Sequence, residues 1–192
     1  MKKDIILSGV GGQGILSIAT IIGEAATEAG VNLKQAEVHG MSQRGGDVQS
    51  NLRLSTEIIY SDLLTQGGAD LIISMEPMEA LRYLTYLGEN GWIITSSNPF
   101  VNIPNYPDQQ QILDELLTLP HVKMANIDDI AKENHTPRGA NMVLLGMAAP
   151  YIEIVSVEQL RSAIARVFAR KGEQVVSDNL KAFDLGVALV KE

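Results

Sequence analysis

The chain is 192 residues long, enough for one domain of ordinary size that buries roughly 70% of its unfolded surface. Apolar residues make up 45%, charged residues 20% and aromatics 5%, an aliphatic-core composition that excludes a disordered or fibrous chain. Fifteen basic against twenty-three acidic residues leave a net charge of −8, which argues against a nucleic-acid partner, and the absence of cysteine excludes disulfides, a thiol nucleophile and thiolate-held zinc or iron–sulfur clusters.

The opening MKKDIILSG has no signal-peptide apolar stretch, and no segment approaches the roughly 20 apolar residues of a membrane span, so the expected location is the cytoplasm, without a membrane partner. Asp4 to Leu7 predicts a strand, and Ile15, Ile18, Ala19, Ile22, Ala25 and Ala26 lie at helical spacing within Gly12 to Ala29. A second apolar run, Leu33 to Val38, completes a β-α-β unit whose crossover is expected to be right-handed. Val48, Ser50, Leu52 and Leu54 then alternate with Gln49, Asn51 and Arg53. With a turn at Ser55-Thr56-Glu57 and a second strand at Ile58-Ile59-Tyr60, this predicts an antiparallel hairpin.

After Gly67-Gly68 the α/β alternation resumes with a buried strand at Ala69 to Ser74, a helix opening at Pro77 and a strand at Trp92 to Thr95 introduced by Gly91. Ser96 to Asp108 reads as an irregular excursion, followed by a helix at Gln109 to Leu119, a strand at Val122 to Ala125 and a short helix from Asn126. Thr136-Pro137 predicts an N-cap and first position for an apolar core helix through Met142, Leu145 and Met147. Ser156 and Gln159 form a capping-box pattern, and the last forty residues read as helical with a break at Gly172. With no internal repeat or linker, the expectation is a single domain over residues 1–192: an α/β, three-layer Rossmann-like fold with a mixed, mainly parallel sheet and a β-hairpin insertion.

Gly9-Val10-Gly11-Gly12-Gln13-Gly14 fits GxGxxG between a strand and a helix, where amides at a helix N-terminus can receive a pyrophosphate. Three readings stay open: a dinucleotide site, another anion or backbone contact, or a tight turn that packs the helix on the sheet. Glu37 is the only acid placed to meet a ribose. The loop His39-Gly40-Met41-Ser42-Gln43-Arg44-Gly45-Gly46 concentrates donors and glycines, with Arg44 offering a planar fork for a carboxylate or phosphate and a structural ion pair as its plainer role. His39 is a general-base candidate without an assignable triad. His121 and His135 read as element-end residues, Asp128-Asp129 as first-turn carboxylates, and Arg161, Arg166, Arg170 and Lys171 as a solvated basic face.

Together, GVGGQGILSIATIIGEAA and EVHGMSQRGGDVQSNLRLS resemble the gamma-type subunit of 2-oxoacid:ferredoxin oxidoreductases. The HGMSQRGG wording at His39 to Gly46 is similar to the small subunit of the indolepyruvate branch, where pyruvate and 2-oxoglutarate relatives usually place tyrosine-glycine-proline before the arginine. The Thr136–Gly146 stretch is similar to the family's helix there. The resemblance implies a subunit of a complex that oxidatively decarboxylates an aryl 2-oxoacid to acyl-CoA and carbon dioxide, with coenzyme A as co-substrate and ferredoxin as electron acceptor. Thiamine diphosphate, Mg2+ and iron–sulfur clusters are then expected on a large partner subunit, and no cofactor on this chain alone. Gly9, Gly11, Gly12, Gln13, Gly14, His39, Ser42, Gln43, Arg44, Gly45 and Gly46 are the residues expected to meet ligand or partner. A subunit for another 2-oxoacid, an independent dinucleotide-binding protein and a non-catalytic assembly protein are the alternatives.

Overall fold

The computed structural model describes residues 1–39 and 46–191. Strands β1 (Lys2–Val10), β2 (Asn32–His39), β3 (Asp47–Ser55), β4 (Ala69–Ser74), β5 (Leu87–Ser96) and β6 (Val122–Ala125) form one sheet in the order β2-β3-β1-β4-β5-β6. The pairs β1–β4, β4–β5 and β5–β6 are parallel, while β3 runs antiparallel to both β1 and β2. The connection through α1 (Ile15–Glu28) therefore carries the chain from β1 past the position of β3 to the sheet edge.

The predicted hairpin of Val48–Leu54 with Ile58-Ile59-Tyr60 is not formed; β3 is antiparallel, but its partners are β1 and β2. Leu52 lies opposite Ile5 on β1 and Gln35 on β2, so β3 turns back on β2 and not on Ile58-Ile59-Tyr60. Those three residues are outside any strand, with Ile58 and Tyr60 exposed. Backbone carbonyls of this segment are instead taken by side chains: Arg53 Nη1 donates to Ser61 O at 3.0 Å and Lys34 Nζ to Tyr60 O at 3.4 Å.

Helices cover both faces. Side chains of α1 and α5 (Ala140–Ile152) pack directly on one face, α6 (Val157–Phe168) lies against α1, and α7 (Glu173–Val190) forms an outer tier over α5. On the other face α2 (Pro77–Arg82) and α3 (Gln109–Leu117) close a smaller core around Ile6, Ile72, Ile93 and Leu116. A helix apolar all round must be buried all round, and α5, between the sheet and α7, buries residues from Ala140 to Ile152 on every side. α4 (Ile127–Glu133) opens where the sequence predicts a short helix, with Asn126 as its N-cap, and α6 carries the predicted Ser156/Gln159 capping box. Thr136 does not cap α5. Its hydroxyl is buried and donates to Ala131 O, and the helix starts three residues beyond Pro137, after Gly139. β5 begins at Leu87, ahead of the predicted Trp92. Among the described residues no helix is long and apolar enough to cross a membrane.

Candidate functional site

Open α/β sheets take ligands beyond the carboxyl ends of their strands, where neighbouring connections leave in opposite directions. Here that point lies between β1, whose connection leads toward β2, and β4, whose connection leads toward β5. The turn after β1 contains the glycines. Gly12 and Gly14 have φ of 102° and 88°, a region that L side chains rarely adopt, and a Cβ on Gly14 would sit 2.6 Å from Asn141 Nδ2. Asn141, at the start of α5, donates to Gly14 O at 3.3 Å and so ties two helix N-termini together. A Cβ on Gly9 would press on Gln13, Ile15 and Met75 at 3.0–3.1 Å, so this glycine serves close packing.

Gln13 spans the crevice itself. Its Oε1 accepts from Val10 N at 2.7 Å and its Nε2 donates to Met75 O at 3.4 Å, while Met75 N donates to Ser8 O at 3.0 Å. The Gly11 amide donates to Gly46 O at 2.9 Å, which seats the end of the His39–Gly46 loop against the glycine turn. The backbone of His39 ends β2, paired with Val48. Ser42, Gln43, Arg44 and Gly45 lie outside the described residues, as does the side chain of His39. Glu37 sits on β2, separated from β1 by β3, roughly 10 Å away across two strand spacings, with Gln35 Nε2 donating to its Oε1 at 2.6 Å. A crevice bridged by Gln13 and an acid two strands distant do not make the usual dinucleotide arrangement.

The sequence reading missed a buried acidic cluster on the far side of this crevice. Glu76, fully buried, caps α2 by accepting from Glu79 N at 2.9 Å; its other oxygen accepts from Phe100 N at 3.3 Å and from the Tyr106 hydroxyl. Its one visible sign in the sequence is an acid just ahead of a proline at the first helical position. Glu79, also buried, is forked by Arg82 at 2.8 and 3.1 Å; burial raises its carboxyl pKa above the ordinary value despite Arg82. Burial, then the charges of Asp47 and Glu79, push the Tyr83 phenol up to about 12. Burial and the bond to Glu76 raise Tyr106 as well. An unfolded tyrosine ionises near pH 10, so rising pH favours the unfolded chain until the folded phenol also ionises. Stability is therefore expected to fall between pH 10 and about 12, by roughly 2–3 kcal/mol from Tyr83 alone. Urea melts across this range, flattened by Tyr83→Phe, are the check; an unchanged slope in the variant refutes the assignment.

Beside the glycine turn, a cleft of about 600 Å³ is lined by Ser17, Arg138, Asn141, Phe168, Lys171 and Asn179, among others. Arg138 and Lys171 give it two cations against the single carboxylate of Asp178, with Lys171 Nζ 5.1 Å from the Phe168 ring centre. Among the described residues no group of three His, Asp or Glu side chains gathers to hold a metal.

Residues 4–189 match the family model of pyruvate ferredoxin/flavodoxin oxidoreductase. The indolepyruvate oxidoreductase subunit IorB of Archaeoglobus fulgidus is 35% identical over 194 residues, covering 97% of this chain and 94% of its own. Among solved structures, the keto/oxoacid ferredoxin oxidoreductase gamma subunit of Geobacter sulfurreducens superposes with a TM-score of 0.70 at 27% identity, covering 97% of each chain. The 2-oxoglutarate:ferredoxin oxidoreductase of Magnetococcus marinus, solved with 2-oxoglutarate, coenzyme A and succinyl-CoA bound, superposes with a TM-score of 0.76 at 25% identity. The match covers 98% of the present chain and 31% of that longer one, so the chain spans about a third of that polypeptide.

Proposed function

Because the chain belongs to the pyruvate ferredoxin/flavodoxin oxidoreductase family, we propose that it is the small subunit of a cytoplasmic indolepyruvate:ferredoxin oxidoreductase. That complex converts an aryl 2-oxoacid and coenzyme A to acyl-CoA and carbon dioxide, passing two electrons to ferredoxin. The observation that carries this reading is the full-length identity of 35% to an indolepyruvate oxidoreductase subunit, against 28% to a full-length 2-oxoglutarate synthase subunit. A chain without cysteine does not fit an iron–sulfur cluster, and no metal-holding group is present among the described residues. In this reading thiamine diphosphate, Mg2+ and the clusters therefore belong to the large subunit, and thiamine supplies the decarboxylation chemistry there.

What this chain contributes is shape and charge. The glycine turn brings backbone amides to the carboxyl edge of the sheet, and Arg138 and Lys171 beside it suit the phosphates of coenzyme A. The loop carrying Ser42, Gln43 and Arg44 starts from His39 and returns at Gly46, against that turn, which supports a role for Arg44 at the same edge. The test is an anaerobic assay of the reconstituted complex, following coenzyme A-dependent reduction of a low-potential acceptor by indolepyruvate, pyruvate and 2-oxoglutarate. Preferred turnover of indolepyruvate that is lost without this chain is the expected result. Arg44→Ala is expected to cut turnover at least ten-fold without shifting the melting of the small subunit, whereas unchanged kcat and KM would remove Arg44 from the site. Turnover independent of this chain would refute the reading.

A further inference from the structure

Two stretches of chain that reach the carboxyl edge of the sheet carry no charge. In a chain that is 20% charged, no charged residue occurs from Ile5 to Gly23 or from Thr95 to Pro107. The first run contains the turn at the carboxyl end of β1 and the second the excursion at the carboxyl end of β5, so both emerge on the same side of the parallel sheet. Large apolar side chains stand exposed there: Phe100 at 44%, Val101 at 69% and Ile103 at 36% on the excursion, and Leu16 in the first turn of α1. Depletion of charge with retention of aromatic and aliphatic groups is the composition of an interface core, not of a solvated rim.

The excursion is also held in place. Glu76, fully buried at the end of β4, accepts from Phe100 N and from the Tyr106 hydroxyl, and so grips the segment on both sides of Val101 and Ile103. A segment fixed before binding loses less conformational freedom on association, which is the physical value of such a clamp. The opposite edge differs. Its exposed Ile58, Tyr60 and Leu63 are interspersed with Glu57 and Asp62, and this segment hangs from Arg53 and Lys34 by its carbonyls.

We infer that the uncharged excursion at the carboxyl edge, with Phe100, Val101 and Ile103 as its apolar anchor, docks on the large subunit, and that Glu76 is the residue that positions the anchor. The inference rests on the complex proposed above. The choice of occupant follows from the Magnetococcus marinus relative, in which the matching domain is continuous with the other two thirds of one polypeptide and needs a face to meet them.

Binding of the full-length chain to the purified large subunit, measured by interferometry, tests it. The triple variant Phe100→Ser, Val101→Ser, Ile103→Ser is expected to raise Kd at least ten-fold. Tyr106→Phe, which keeps the apolar anchor and removes one hydroxyl from Glu76, is expected to raise it about three-fold, mainly through slower association. Ile58→Ser with Tyr60→Ser is expected to leave Kd unchanged. Hydrogen exchange of the wild-type chain gives a reading independent of any variant's folding: the amides between Ser97 and Tyr106 should gain protection when the large subunit is added. Wild-type binding with an unaltered Kd in the triple variant, or without protection of that segment, overturns the docking face while leaving the complex standing. Absence of wild-type binding overturns the complex and this inference together.

Discussion

Gly146→Ala is expected to lower the stability of the chain by about 3 kcal/mol, seen as a large drop in the urea midpoint. A Cβ at this position in α5 would overlap the carbonyl oxygen of Phe183 and lie 2.8 Å from Val187 N on α7. The contact is reciprocal, because a Cβ on Gly186 would overlap Val143 O and lie 2.9 Å from Met147 N. These are backbone atoms, so no side-chain rotation relieves the clash, and the helices must move apart. Alanine gains roughly 1 kcal/mol of helix propensity over glycine. Separating α5 from α7 costs more, because Val143, Met147, Phe183 and Val187 are all packed at that crossing. Gly186→Ala should behave alike, and the double variant should fall short of the sum, since one separation accommodates both methyl groups. Gly23→Ala in α1 is the control. Its Cβ would meet only Leu33 Cδ2, at 3.1 Å, the movable end of a side chain. Equal midpoints for Gly146→Ala and wild type would refute the close crossing.

Arg53→Met is expected to cost about 3 kcal/mol and to loosen the segment after β3. Asp4 is buried, with 2% of its side chain exposed, and its carboxylate is forked by Arg53 Nε at 2.9 Å and Nη2 at 3.1 Å. Removing the fork leaves Asp4 with Lys2, whose ammonium lies 2.7 Å away on a side chain that is 54% exposed and is a weaker substitute. The same guanidinium holds Ser61 O and Leu63 O, so amide exchange between Ser55 and Leu64 should accelerate in the variant. Asp4→Asn combined with Arg53→Met should be less damaging than the two single changes added together, because the uncompensated buried charge is gone. Additive losses would show that the pair does not act as a unit.

Much of the architecture is readable along the chain because its causes are local. Strand and helix periods, the helix start at Asn126, the Ser156/Gln159 capping box and the break at Gly172 each involve residues within a few positions of one another. The two faces of β3 are equally legible, since alternation is a property of one strand. The family is legible too, because the glycine turn and the His39–Gly46 wording are contiguous.

Partner choice is not local, and there the sequence is silent. Ile58-Ile59-Tyr60 has the composition of a strand, yet β3 pairs with β1 and β2, where Leu52 meets Ile5 and Arg53 meets Asp4. Gln13 reads as a ligand-facing amide, but Met75, sixty-two residues on, turns it into a strut across the crevice. Thr136 reads as a cap and instead spends its hydroxyl on Ala131 O. Glu76 looks like an ordinary helix start until folding brings Phe100 N and the Tyr106 hydroxyl to its carboxyl group. The sequence alone therefore determined most of the elements, the α/β class and the family, through short-range periodicity and contiguous motifs. Only the tertiary structure decided the strand order, the bridging of the crevice by Gln13 and the clamp at Glu76, because each depends on buried polar groups finding partners distant in the chain.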